Sequence, residues 1–452
     1  MLITQFWGTQ GLLGTGIGVS ATYIFLFVVF GAFLKYSGFS HFINDFSLTL
    51  VGRTSGGPAK VAVIASGRLM GMINGSAIAN VATTGTITIP LMKRTGYKKE
   101  FAGAVEAVAS TGGQFTPPLM GGGIMGAVGF VMAEFLNLSY TYVALAAVTP
   151  ALLYYVGLLL AVHFEAKRLG LSGIAKENIP DAMKVIREQG HLVLPLISLI
   201  GLMFAGFTPL YAAVISIFVT IGASWLRKDT RMTPDKILAA VVEGSKSAIS
   251  VGVCCVIIGV IIGTVTLTSL GLNMGYLILS VVNGGSIYLA GFLVMIMSAI
   301  LGMGVPGVAA YVIVQAVAVP VLIKAGAMPL IAHLFCLIYA CLSNITPPVA
   351  MSAYVASGIA DSDQTKTGLW AVRLGLIGFI IPFFFLDNPV LLIGVSKTAT
   401  LFDTGWAVFT AMVGTFALVA GLEGWILRRC TLVERIITHR IIAVPASARR
   451  PY

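Results

Sequence analysis

Apolar segments separated by short polar stretches follow one another along almost the whole chain. Those at about residues 16–34, 140–163, 369–386 and 403–427 are each close to the length of a membrane span and mostly apolar. About twenty apolar residues in an α-helix cross the hydrocarbon core of a bilayer. The pattern predicts an all-α polytopic membrane protein.

Two pairs of apolar segments are too short for full crossings. The first pair, residues 59–74 and 77–92, is joined by NGSAIAN, and the second, residues 286–303 and 309–322, surrounds GMGVPGVAA. Short or glycine-interrupted segments at matching positions of two halves are typical of transporters with discontinuous helices. We expect two re-entrant helical hairpins, each of which enters and leaves on one side of the membrane.

Two longer apolar segments are interrupted near their middle by polar residues and a Pro-Pro pair. Residues 98–135 contain STGGQFTPPLMGG, and residues 329–357 contain CLSNITPPVAMS. Proline lacks the amide hydrogen that would continue the helix. Non-helical backbone at membrane depth occurs only where protein or a water-filled cavity satisfies its polar groups. The sequence therefore predicts two broken transmembrane helices beside such a cavity.

The remaining apolar segments complete two similar sets of elements. Residues 38–52 are predicted to form an amphipathic helix in the membrane interface, and residues 272–282 form a second short amphipathic piece. A helical pair at residues 191–207 and 209–226 and a span at residues 248–267 lie between. We divide the chain into four regions. The first repeat covers residues 1–163, and the connecting loops with a scaffold helix pair cover residues 164–246. The second repeat covers residues 247–402, and the last span with its basic tail covers residues 403–452.

An internal duplication links these two sets. The sequence IPLMKRTG at residues 89–96 aligns with VPVLIKAG at residues 319–326. The same displacement of 230 positions places Gln114 on Asn344 and the motif Thr-Pro-Pro at 116–118 on that at 346–348. Two proline landmarks that recur without a gap indicate that the second half is a copy of the first.

Charge gives the orientation of the two copies. The chain of 452 residues is 57% hydrophobic and 10% charged, with a net charge of +11. Its basic residues stand in short loops beside apolar segments, as in the positive-inside pattern, and form no nucleic-acid footprint. If the first hairpin opens to the cytoplasm, Lys324 and Lys397 fall outside. Because Lys324 lies at the base of the second hairpin, we expect inverted repeats.

Motifs of other function classes are missing from the sequence. It contains no GxxxxGK[ST] phosphate loop and no HExxH, GxSxG or Cys-His cluster. Its five cysteines lie in or beside apolar segments and are interpreted as small buried residues. We expect a transporter and not an enzyme, with no cofactor apart from a coupling ion. A channel would need a continuous pore lining, whereas the hairpins resemble closed gates.

The hairpin tips and helix breaks are the candidate binding elements, because inverted repeats bring them together near the membrane midplane. Freed carbonyls suit a cation such as Na⁺, half-helix N-termini suit a carboxylate, and glycines allow close approach. The first predicted ion site comprises Gly75, Ser76, Asn80, Gly112, Gly113, Gln114 and Thr116. The second predicted ion site comprises Gly302, Gly304, Pro306, Ser343, Asn344 and Thr346.

Five more residues are candidates for substrate binding or coupling: Asn74, Ser110, Glu106, Arg68 and His333. Ionisable groups inside membrane segments are functional candidates by default. Glu106 would carry a proton or help to hold a cation, unless it pairs with a basic neighbour. Arg68 would meet an anionic substrate or extend to the membrane surface. His333 would act on a proton or be a hydrogen-bonded structural residue.

The block GSAIANVATTGTITIPLMKRTGYKKEFAGAVEAVASTGGQFTPPLMGG, residues 75–122, resembles the large membrane subunit of tripartite ATP-independent periplasmic (TRAP) transporters. GGPAKVAVIASG, VMAEFL and PALLYY are closest to the TAXI-type branch. The resemblance implies an elevator-type transporter in the bacterial inner membrane, in which a transport domain with both hairpins slides against a scaffold. It implies uptake of an organic acid delivered by a periplasmic binding protein. Family Na⁺ sites map onto Ser76 with residues 112–114, and onto Gly304 with residues 344–346.

Several alternatives stay open at this point. Many TAXI-type proteins carry about four extra helices before this region, so we expect a separate small four-helix membrane subunit, or a chain that works without one. The ion ligands are mostly backbone atoms, so the sequence leaves Na⁺ and H⁺ as possible coupling ions. A stand-alone dicarboxylate or citrate carrier would use the same hairpin arrangement.

Overall fold

The computed structural model describes residues 7–8, 11–71, 76–117, 124–282, 286–305, 307–396, 399–426, 428, 430–431 and 434–435. Within these ranges the regular elements are helices. Six of them are long and apolar enough to cross a membrane: Ile17–Tyr36, Tyr140–Leu169, Lys176–Phe204, Pro234–Leu267, Gln364–Asp387 and Leu401–Glu423. The prediction of an all-α polytopic membrane protein is confirmed.

The first half contains a span, an amphipathic helix, a helical pair, a broken segment and a second span. Its helices are α1 (residues 15–36), α2 (Phe39–Val51), α3 (residues 57–70), α4 (Ala77–Arg94), α5 (Lys99–Gly112), α6 (Ile124–Leu136) and α7 (Tyr140–Leu169). α1 and α3 include the π-helical stretches Ser20–Ile24 and Val63–Met70. Ser76 and Ser139 begin α4 and α7, because each hydroxyl accepts a hydrogen bond from a first-turn N–H at 3.3 Å.

The connecting region and the second half follow the same plan. Their helices are α8 (Ala182–Gln189), α9 (Leu194–Phe204), α10 (Pro209–Ser224), α11 (Pro234–Leu267), α12 (Leu270–Val282), α13 (Ile287–Gly302), α14 (Gly307–Val317), α15 (Val319–Lys324), α16 (Pro329–Leu342), α17 (Met351–Ala360), α18 (Gln364–Asp387) and α19 (Leu401–Glu423). Short 3₁₀ turns occur at Lys176–Asn178, Gly190–Val193, Ser343–Ile345 and Pro389–Leu391. Thr400 and Asp403 form a reciprocal capping box at the start of α19.

The helix bounds repeat along with the sequence. α5 and α16 begin and end at equivalent positions, separated by the same 230 positions as Gln114 and Asn344. The turns before them are equivalent too, since Gly96 has φ 103° and Gly326 has φ 102°. Only glycine adopts this left-handed conformation without steric cost. The duplication read from the sequence is therefore a duplication of backbone structure.

Both broken helices are too short to cross a membrane alone. α5 and α16 have 14 residues each, which is about 21 Å at the α-helical rise. The hydrocarbon core is roughly 30 Å thick. α16 ends at Leu342 and helix resumes at Met351, while α5 ends at Gly112 and α6 begins at Ile124. The interruptions lie where the polar and Pro-Pro residues predict them.

Packing places the broken helices at the centre of the molecule. α5 packs against α3, α4, α17 and α18, and α16 packs against α13, α14 and α18. α17, from the second half, thus contacts α5 and α4 of the first. α1 packs against α10 and α11, with a separate small core of Val29, Phe33, Met232 and Ala240. Other α1 residues, among them Phe27 and Phe30, belong to the main core.

Two helices extend beyond their predicted ends, and one predicted arm is divided. α7 continues to Leu169 and not 163, and α11 begins at Pro234 and not 248. The apolar pattern marks only the part of a helix that lies in the lipid. Polar residues outside the membrane continue the same helix without an energetic penalty. In the second hairpin the predicted arm 309–322 is two helices, α14 and α15, separated at Ala318.

Candidate ion and substrate site

The two helix breaks meet through their amide side chains. Asn344 Nδ2 donates a hydrogen bond to Gln114 Oε1 at 3.2 Å. Both side chains are buried, with 3% of each exposed. They occupy equivalent positions of the two repeats, so their contact is the arrangement expected when a two-fold relation passes between the breaks.

Each break is stabilised by the same local hydrogen bond. Thr116 Oγ1 donates to Gly112 O at 2.7 Å, and Thr346 Oγ1 donates to Leu342 O at 2.8 Å. A helix that stops leaves its last carbonyls without backbone donors. The threonine hydroxyl satisfies one of them in each copy. These two residues therefore define the geometry of the chain immediately after each helix end.

Glycines bring the hairpins onto the breaks. A Cβ at Gly113 would lie 2.5 Å from Gly71 Cα, and one at Gly302 would lie 2.8 Å from Ala340 O. Gly304 has φ +73°, which side chains rarely adopt. The end of α3 thus lies against the first break and the end of α13 against the second. The hairpin backbone therefore meets each broken helix directly, because no Cβ separates the two.

Asn80 joins three elements of the first half. Its Nδ2 donates to Ser66 O at 2.5 Å and to Ser110 Oγ at 2.9 Å. Ser66 lies on α3, Asn80 on α4 and Ser110 on α5, and each is almost completely buried. The structure brings the predicted residues Asn80 and Ser110 together. Ser76 lies at the start of the same helix, α4.

Glu106 is enclosed by hydroxyl groups. Its side chain is 0% exposed, and its carboxylate oxygens accept from Thr84 Oγ1 and Thr88 Oγ1, at 2.5 Å each. Ser110 Oγ lies 3.5 Å away. No ion pair joins Glu106 to a basic residue in the part of the chain that the structure describes. An ionised carboxylate without a compensating charge is costly at such a position, and an ionisable group inside a membrane segment is a candidate for function.

Thr84 and Thr88 were not among the predicted site residues. The signal that could have found them is helical spacing, because Asn80, Thr84 and Thr88 recur every four residues on α4. This polar stripe is buried and therefore has to meet a polar partner. Glu106 on α5 is that partner.

His333 is a hydrogen-bonded core residue in this structure. Its Nδ1 lies 2.7 Å from Tyr311 OH, and both side chains are buried. Of its two predicted roles, the contact favours the structural one. Asn74, Gly75 and Pro306 lie outside the described residues, as does the side chain of Arg68.

The donor set at the breaks suits an alkali cation or a proton. Among the residues that the structure describes, no group of three or more His, Cys, Asp or Glu side chains could hold a metal ion. Carbonyl, hydroxyl and amide oxygens are present instead, and these are the groups that replace water around a hard cation. The carboxyl group of Glu106 adds one titratable site to them.

Comparison with known proteins gives one family. Residues 3–399 match the family described as tripartite ATP-independent periplasmic transporter, DctM component. The chain is 25% identical over 368 residues to the isethionate TRAP transporter permease protein DctMQ of Oleidesulfovibrio alaskensis, a match that covers 80% of this chain and 56% of that protein. The chain thus spans little more than half the length of this relative.

Two further relatives are matched over most of their length. The putative TRAP transporter large permease protein of Haemophilus influenzae is 24% identical, with 85% of this chain and 88% of that protein covered. The sialic acid TRAP transporter large permease protein SiaM of Vibrio cholerae is also 24% identical, with 79% and 80% covered.

Proposed function

The chain belongs to the family of the DctM component of tripartite ATP-independent periplasmic transporters, and we propose that it imports a small organic acid by ion-coupled secondary transport. Its relatives carry the names of permease proteins, and it is a transporter subunit and not an enzyme. The relatives' names include isethionate, sialic acid and C4-dicarboxylate. A carboxylate or dicarboxylate is the substrate class that we propose for this chain.

The contact between Gln114 and Asn344 is the observation that carries this proposal. It joins equivalent breaks from the two repeats at 3.2 Å in a buried position. A shared site between inverted repeats can bind solute and ion together and be exposed to one side at a time. We therefore propose inverted repeats, bounded as in the sequence-based division, and an elevator movement of the hairpins and broken helices.

Na⁺ is the first candidate coupling ion. Site 1 would combine the start of α4 with residues 112–116, and site 2 would combine residues 302–304 with residues 343–346. The close approach of Gly71 to Gly113 and of Ala340 to Gly302 supports this assignment, because the hairpin backbone reaches each broken helix with no Cβ between them. Half-helix N-termini at α6 and α17 would attract the carboxylate of the substrate.

A proton on Glu106 is the second candidate, favoured by a count of hydrogens. The hydroxyls of Thr84 and Thr88 each lie near a carboxylate oxygen at 2.5 Å and near a backbone carbonyl, at 2.8 and 3.1 Å. Each hydroxyl supplies one hydrogen, so only two hydrogens are available for the four oxygen–oxygen contacts. A proton on Glu106 supplies a third and removes the buried charge.

Partners and location follow from the family. We propose that the chain works in the bacterial inner membrane, in contact with lipid, with a periplasmic substrate-binding protein and a small four-helix membrane subunit. The TAXI-type branch stays a prediction from the sequence motifs. A stand-alone carrier would need neither protein partner.

The test is uptake by the purified chain in liposomes, with a candidate periplasmic binding protein, a candidate small membrane subunit and a panel of radiolabelled organic acids. Separate arms carry an inward Na⁺ gradient, an inward proton gradient, or neither. We expect accumulation against the substrate gradient in one ion arm and only when the binding protein is present. An ionophore that abolishes the gradient serves as the control.

Three outcomes would contradict parts of the proposal. Accumulation without the binding protein would indicate a stand-alone carrier. Purely downhill flux that ignores both ion gradients would indicate a channel or an uncoupled carrier. Uptake that depends on the proton gradient alone would exclude Na⁺ as the coupling ion and leave Glu106 as the coupling residue.

A further inference from the structure

Two adjacent tyrosines of the PALLYY motif bind the end of the first broken helix. Tyr154 OH donates to Val108 O at 2.8 Å, and Tyr155 OH donates to Ala109 O at 3.2 Å. Both tyrosines lie on α7, and both side chains are buried. The acceptor carbonyls stand in the last turns of α5, directly before residues 112–114 of the first predicted ion site.

Glycines form the slot that admits these two rings. A Cβ at Gly112 would lie 2.4 Å from Tyr154 Cε1, and one at Gly67 would lie 2.5 Å from Tyr155 Cε1. From the opposite side, a Cβ at Gly378 of α18 would lie 2.8 Å from Tyr154 Cε2. The absence of three side chains, on α3, α5 and α18, lets the tyrosines reach the α5 backbone. Such close contact leaves the rings little freedom to move.

Tyr154 also contacts the break itself. Its ring packs edge-on against Phe115, with the ring centroids 5.0 Å apart. Phe115 follows Gln114 directly, so one side chain touches the chain on both sides of residues 112–114. In the second half, a tyrosine bonds the other way round: Tyr339 lies on the broken helix itself and donates to Phe379 O on α18.

We propose that Tyr154 and Tyr155 are positioning residues that set the ion affinity of the first break. This inference rests on the proposed ion-coupled function of that break. The two hydroxyls hold α5 at one depth and rotation, and thereby hold the oxygens of residues 112–114 in place. Binding groups must be held within about half an ångström for full affinity. Neither tyrosine needs to touch the ion.

The experiment compares Tyr154→Phe, Tyr155→Phe and the double variant with Tyr142→Phe as the matched control. Tyr142 lies on the same helix, and its hydroxyl donates to Gly394 O at 3.0 Å, outside the breaks. Two readouts are used: the ion concentration for half-maximal uptake, and the ion-dependent rise of the unfolding temperature of purified protein. The ion is Na⁺ or H⁺, whichever drives uptake in the wild type.

We expect the double variant to need about tenfold more ion, with each single variant between it and the wild type, and Tyr142→Phe to match the wild type. Gly378→Ala should act in the same direction, because it pushes on Tyr154 from α18. Gly358→Ala is its control, since a Cβ there meets nothing within 4 Å.

The failure of this inference and that of the proposed function are distinguishable. Tyrosine variants with a lower unfolding temperature but an unchanged ion requirement would show a merely structural role and overturn the inference alone. A wild type whose uptake and stability respond to neither ion would contradict ion coupling, and the inference with it.

Discussion

The two repeats share a backbone but differ in the chemistry of their buried side chains. Around the first broken helix, five buried positions are polar: Asn80, Thr84, Thr88, Glu106 and Ser110. Displaced by 230 positions, the second repeat has apolar or weakly polar residues: Ala310, Val314, Ala318, Cys336 and Ala340. These five are each 0% exposed, so they belong to the same buried environment.

The two copies have kept the same backbone features but not the same buried polar side chains. Both copies keep the helix length, the glycine turn and the threonine that satisfies a carbonyl after the helix end. Those features produce the interruption of the helix, which depends only on backbone conformation and backbone hydrogen bonding. The buried carboxyl group occurs in the first copy alone. A second buried carboxyl would add a desolvation cost of several kcal/mol; Cys336, at the position equivalent to Glu106, avoids that cost.

The largest expected effect tests this asymmetry directly. Glu106→Gln should reduce ion-coupled uptake at least tenfold, because the amide cannot carry a charge or exchange a proton. The threonine hydroxyls can still bond to it, so the protein should remain folded. Cys336→Ser at the equivalent position should leave uptake within about twofold of the wild type. Uptake assays in liposomes, with unfolding temperatures as the check on folding, compare the two.

Normal uptake by Glu106→Gln would show that the asymmetry has no part in transport. The carboxyl would then be a structural partner of the α4 threonines.

The pair that joins the repeats should show an intermediate effect. Gln114→Ala and Asn344→Ala should each lower uptake about tenfold, equal to ~1.4 kcal/mol. Asn344→Ala should lower uptake somewhat more than Gln114→Ala, because Asn344 Nδ2 also donates to Cys341 O at 3.1 Å. The double variant should be no worse than Asn344→Ala alone, since neighbouring partners are not additive. Initial uptake rates of the four proteins complete the double-mutant cycle.

Multiplicative losses in the double variant, about a hundredfold in total, would mean that the two amides act independently. The breaks would then not form one site.

The smallest expected effect tests the shared backbone. Thr116→Val and Thr346→Val each remove one hydroxyl-to-carbonyl bond of nearly equal length. Each should destabilise the protein by about 1 kcal/mol, the usual worth of one hydrogen bond, and by similar amounts. Chemical denaturation in detergent measures both. A large effect in one repeat and none in the other would argue against equivalent breaks.

Elements whose identity depends on local pattern were predictable from the sequence. The spans, the short helical pairs and the two interruptions follow from apolar length and proline chemistry, and the structure has helices and breaks at those places. Helix ends outside the membrane were missed at Leu169 and Pro234, because hydropathy reports contact with lipid and not helix length. Thr84 and Thr88 were missed because a threonine is unremarkable in a membrane helix until its neighbour is known.

A duplicated, helical, membrane-spanning chain with two interruptions at equivalent positions could be predicted from the sequence alone, because hydropathy and proline act within a few residues. Three contacts came from the packing of the helices: Gln114 with Asn344, the Thr84 and Thr88 hydroxyls with Glu106, and Tyr154 and Tyr155 with the α5 carbonyls. Those contacts join residues far apart in the chain. They depend on which helix faces pack together, and hydropathy hardly distinguishes the faces when almost every one of them is apolar.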